Sequence, residues 1–105
     1  MTRSPMDLRD RRLFNKVLEE VCNLLAELED LRGTATERDD AFSTIHRDAM
    51  VLMRRTNKVL ERAGLTRIEP PIIDFDEASH HEARATLQAF LWRRREELDT
   101  LVRKP

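Results

Sequence analysis

At 105 residues the chain has room for one domain. Its two glycines, lack of tyrosine and 37% charged residues suit helices better than a sheet. A net charge of −1 gives no general bias toward nucleic acid or other polyanions.

The single cysteine, Cys22, excludes an internal disulfide and fits a reducing, cytoplasmic compartment. No secretory signal follows Met1, and no apolar run is long enough to span a bilayer, so no membrane association is expected.

The first periodic segment carries Phe14, Val17, Val21, Leu24, Leu28 and Leu31 at alternating spacings of three and four, with Leu18 and Leu25 widening the stripe. This predicts a helix over 6–32, stopped by Gly33. Thr34 and Glu37 then have the spacing of a capping box for a second helix. That helix is predicted over 36–63, with a stripe of Phe42, Ile45, Ala49, Leu52, Thr56, Val59 and Ala63 flanked by Met53 and Leu60. Gly64 ends it. Two amphipathic helices joined by a short polar turn form an antiparallel hairpin with an apolar side left over.

With five aromatic residues the core is thin, so a second subunit is expected to cover that side. The expectation is an all-α homodimer in which two hairpins make a four-helix bundle. Phe14, Val17, Val21, Leu24, Leu28, Phe42, Ile45, Leu52 and Val59 would lie at its interface.

Residues 65–74 read as a connector, since Pro70-Pro71 forbids helix. Ile68, Pro70, Ile72, Ile73 and Phe75 are expected to pack across the hairpin. A third helix is predicted over 76–103, with Ser79 and Glu82 at capping-box spacing. Leu87, Phe90, Leu91, Leu98, Leu101 and Val102 form a looser stripe interrupted by Arg94. Arg93-Arg94-Arg95 followed by Glu96-Glu97 reads as a solvated face with local ion pairs. Trp92 falls off the stripe, beside Ala85 and Ala89. It is either core of a second packing surface or an exposed anchor, and with Arg93, Arg94 and Arg95 it is the candidate partner-binding surface. Nucleic acid is the poorer partner there, because Glu96, Glu97 and Asp99 share the helix.

His80, His81 and Glu82, with Asp74 and Asp76, are the densest group of possible metal ligands. However, adjacent histidines on a helix point about 100° apart, and the i, i+4 histidine pair of zinc proteases is missing. Asp76 and His80 do have that spacing, and His46 is a third candidate from elsewhere in the chain. Carboxylates at a helix start are expected for capping alone, so no metal is assigned. Cys22 needs a nearby histidine to act as a nucleophile, and its place at the stripe edge suits a half-buried side chain. There is no phosphate loop, CxxC pair or nucleophile elbow. No cofactor and no catalytic residue are expected.

The stretch Leu60-Glu61-Arg62-Ala63-Gly64-Leu65-Thr66-Arg67-Ile68-Glu69-Pro70, then Phe75-Asp76, then His80-His81-Glu82-Ala83, resembles the GrpE family, the nucleotide exchange factors of DnaK-type chaperones. Spacing from Gly64 through Ile68 to Phe75 matches that family without a gap. Glu77 stands where the family has proline, the His-Glu-Ala element carries one extra residue, and the residues after Ala83 read as helix where the family has a β-domain. The resemblance implies a GrpE-like co-chaperone or adaptor with weakened nucleotide exchange. The second reading is a dimeric helical interaction module without exchange activity. The third is a metal-dependent enzyme centred on His80, His81 and Asp76.

Overall fold

The computed structural model describes residues 8–73 and 80–103, the latter beginning with the backbone of His80. Three helices and no strand occur among them: α1 Leu8–Glu29, α2 Ala35–Arg62 and α3 His80–Arg103. The all-α reading therefore holds. Met6, Asp74, Phe75, Asp76, Glu77 and Ser79, and with them the start expected for the third helix and its capping serine, lie outside the described residues.

α1 ends three residues before the expected position. Its last turn carries no basic residue, and Glu27 and Glu29, followed by Asp30, oppose the negative end of the helix dipole. The chain turns through Gly33, whose φ of 101° is open to glycine and strained for other residues. Thr34 then caps α2: its Oγ1 accepts from the Glu37 N–H at 3.2 Å.

α2 ends with Ala63 as its C-cap and Gly64 just beyond it. Leu65 N–H donates to the Leu60 carbonyl at 2.8 Å and Gly64 N–H to Glu61 at 3.1 Å, with Gly64 at φ 71°. This paired closure satisfies carbonyls that the helix end would leave orphaned.

Leu31, Ala35 and Phe42 at the hairpin turn share a cavity with His81 and Arg84 at the start of α3. Leu98 and Leu101, near the other end of α3, share one with Leu60, Leu65 and Ile68. α3 therefore runs antiparallel to α1 and parallel to α2, and the connector returns the chain along the bundle. α3 packs chiefly on α1 and touches α2 little. The long axis of 54 Å against cross-axes of 23 and 17 Å fits three aligned helices.

Ala83, Leu87, Leu91 and Leu98 are buried against the hairpin, each no more than 3% exposed. They fill the side where a second hairpin was expected. Of the nine residues assigned to a dimer interface, Phe14, Val21, Leu24, Leu28, Phe42, Ile45, Leu52 and Val59 are buried within the single chain, and Val17 is half-buried against them.

The connector anchors differently from the expectation. Ile68 is buried and Ile73 half-buried, but Ile72 is 96% exposed and Pro70 faces solvent. Asn57 explains the choice. Buried on α2, it donates from Nδ2 to the Ile68 carbonyl at 2.9 Å and accepts from the Ile68 N–H at 2.7 Å. Its amide thus pairs with both backbone groups of one connector residue, as a neighbouring strand would. That drives the Ile68 side chain inward beside Leu60 and Leu98.

Candidate functional site

The basic run on α3 is divided by its own geometry. Arg93 Nε lies 3.8 Å from Glu97 Oε1 on the exposed side, and Arg94 donates to the same oxygen at 2.9 Å. Arg94 is turned inward, with only 11% of its side chain exposed and its guanidinium 5.0 Å from the Phe90 ring centroid. Its Nε has no hydrogen-bond partner. Arg95 points the other way and stacks on Trp92, Cζ lying 4.7 Å from the ring centroid. Arg93 and Arg94 are thus committed to Glu97, and only Arg95 remains with the tryptophan.

Trp92 is 41% exposed, so it is not core of a second packing surface within the chain. It stands over a groove of about 340 Å³ between α3 and α1, lined by Leu18, Cys22, Trp92, Arg95, Glu96, Asp99 and Arg103. Leu18 and Cys22 form the apolar floor, both half-buried. The α3 members recur every three to four residues and so share one helix face. Arg103 Nε pairs with Asp99 Oδ1 at 3.2 Å along this rim. Of this lining the sequence reading names Trp92 and Arg95 as partner-binding; the contribution of Leu18 and Cys22 depends on the antiparallel packing of α3 on α1. Arginine stacking holds the indole flat while leaving it partly in water, the condition of an anchor that gains by being covered.

A second groove, about 360 Å³, lies between α1 and α2 on the side away from α3, with Leu24, Val51 and Leu52 flanked by Glu20, Asn23, Asp48 and Arg55. Leu24 and Leu52 are two of the nine residues expected at a dimer interface; the charged residues that flank them have no expected role.

No group of three histidine, cysteine or acidic side chains with metal-binding geometry occurs among the described residues. Asp74, Asp76 and the side chain of His80 lie outside that set, while His81 is exposed beside Arg38 and Arg84 at the bundle end. His46 is half-buried on α2, and desolvation holds its pKa below the usual histidine value. No described histidine lines the groove around Cys22. No described helix is long and apolar enough to cross a membrane.

Comparison with protein-family models, with curated proteins and with solved structures gives no match.

Proposed function

We propose that the protein is a non-catalytic adaptor that binds another protein chain through the α1–α3 groove, with Trp92 as anchor. The observation that carries this reading is the 41% exposure of the chain's one tryptophan, stacked by Arg95 above an apolar floor. The groove accepts an apolar side chain beside the indole, and Glu96, Asp99 and Arg103 supply a polar rim that fixes register.

The narrower reading is a co-chaperone of a DnaK-type partner. It rests on the GrpE-like segment from Leu60 to Pro70, where Gly64 closes α2 and Ile68 docks the connector, so the matching residues serve the fold first. A homodimer through Phe14, Val21 and their neighbours requires α3 to leave the hairpin, because α3 already covers that side.

Two measurements test these readings. Pull-down from the native cell with the wild-type chain and with Trp92→Ala should show a partner lost or weakened at least about tenfold in the variant, the scale of an aromatic hot spot. Identical capture by both removes the groove from the binding surface. For the narrower reading, labelled-ADP release from a DnaK-type chaperone should be accelerated, but less than by a complete exchange factor. No acceleration at saturating protein leaves the general adaptor reading in place and ends the co-chaperone one.

A further inference from the structure

The flank of α2 that borders the α1–α2 groove has an ordered charge pattern. At 100° per residue, Glu37, Asp40, Asp48, Val51, Arg55, Lys58 and Arg62 fall within an arc of about 80°. All seven are exposed. The acids occupy the first half of the face and the bases the second, with Val51 between them. Arg47, on the edge of this arc, is a basic exception in the acidic half.

α1 carries the reverse order on its facing flank, Arg12 and Lys16 before Glu20 and Glu27. Because the hairpin is antiparallel, Arg12 and Lys16 lie toward the basic end of α2 and Glu27 toward its acidic end, while Glu20 shares the groove with both Asp48 and Arg55. The face is therefore acidic toward the hairpin turn and basic toward the other end. None of these residues takes part in an ion pair among the described residues. Like charges gathered side by side work against the isolated chain.

We propose that this α1–α2 face binds a second copy of the chain in an antiparallel, two-fold arrangement centred on Val51. Asp40 and Arg62 stand eleven residues either side of Val51, and Asp48 and Arg55 three and four residues either side. A two-fold axis through Val51, perpendicular to α2, therefore sets Asp40 and Asp48 of one copy against Arg62 and Arg55 of the other. It also brings the two Val51 side chains together over the groove floored by Leu24 and Leu52. A parallel pairing would set acid on acid and base on base. Two helices presenting this length offer roughly 700 Å² per copy, the size of an ordinary interface. With so small an apolar centre, the attraction is mainly electrostatic and sensitive to salt.

The test is sedimentation equilibrium of the full chain at 50 and 500 mM salt, with two double variants, Asp40→Lys/Asp48→Lys and Arg55→Glu/Arg62→Glu. All four positions are exposed, so the fold should survive, which circular dichroism checks. The wild-type chain should dimerise at low salt, with the dimerisation constant falling at least about tenfold at high salt. Each variant alone should be monomeric, and their equimolar mixture should recover the dimer. Trp92→Ala should leave self-association unchanged, which separates this interface from the partner groove. A wild-type chain that stays monomeric at several hundred micromolar overturns the proposal and leaves the face to a different partner. So does association that survives in either variant alone, or a mixture that fails to associate.

Discussion

Replacing Phe14 by alanine should lower the free energy of unfolding by about 3–5 kcal/mol, and Leu91→Ala by about 2–5 kcal/mol. Both side chains are fully buried, one on the hairpin and one on α3. Each truncation removes apolar contact and leaves a cavity that three packed helices can close only in part. A single domain has about 5–15 kcal/mol to lose, so either variant should unfold at much lower denaturant. The Leu91 result is the more informative. If α3 projected from the bundle, Leu91→Ala would change stability by less than about 1 kcal/mol, the range of substitutions at open surface. Urea unfolding followed by circular dichroism, with one shared transition for the three helices, checks both values. A small Leu91 effect would mean that α3 is detached in solution, returning the Phe14–Val59 stripe to a second copy.

The course of α2 was legible because its causes are local: Thr34 caps its start and Gly64 takes the left-handed conformation its exit needs. The stop of α1 was not, since that helix ends at Glu29 and Gly33 only turns the chain beyond it. The heptad-like stripes named the core residues but not what covers them. Stripe and partner are separate facts, and the stripe on α3 is too loose to announce that it docks on α1.

The connector shows a second limit. Ile68, Ile72 and Ile73 are chemically alike, and which of them turns inward is decided by Asn57, eleven residues before Ile68. An asparagine near the end of an amphipathic helix reads as ordinary polar flank, since its partners are backbone atoms that leave no mark in side-chain pattern. The Trp92 groove was half legible for a related reason: the exposed ring was among the expectations, but its floor comes from another helix. In the basic run, Arg94 and Arg95 diverge because adjacent residues on a helix point about 100° apart, a fact that composition hides.

Asn57 also sets up the sharpest electrostatic prediction. Asn57→Ala should cost about 2–4 kcal/mol, because the Ile68 N–H and carbonyl would be left buried without partners. Asn57→Asp should be worse at neutral pH and should recover on acidification. The carboxylate still accepts from the Ile68 N–H, but it loses the donor to the Ile68 carbonyl and sets a buried negative charge against that oxygen. The site lies in the C-terminal part of α2, where the helix dipole also disfavours an anion. The protonated carboxyl, by contrast, donates to the carbonyl as the amide does. The folded chain therefore favours the neutral form, and the folded-state pKa of the introduced group rises above its unfolded value of about 3.9. Relative to the wild-type chain, the variant should be least destabilised below about pH 3.9, with the deficit growing as pH rises through the raised folded-state value. Subtracting wild-type from variant stability at each pH cancels the titration of the other carboxylates. Urea midpoints between pH 3.5 and 7 supply the curve. A difference that stays flat with pH would mean that Asn57 does not hold Ile68 in solution, and the connector would need another anchor to bring α3 back along the bundle.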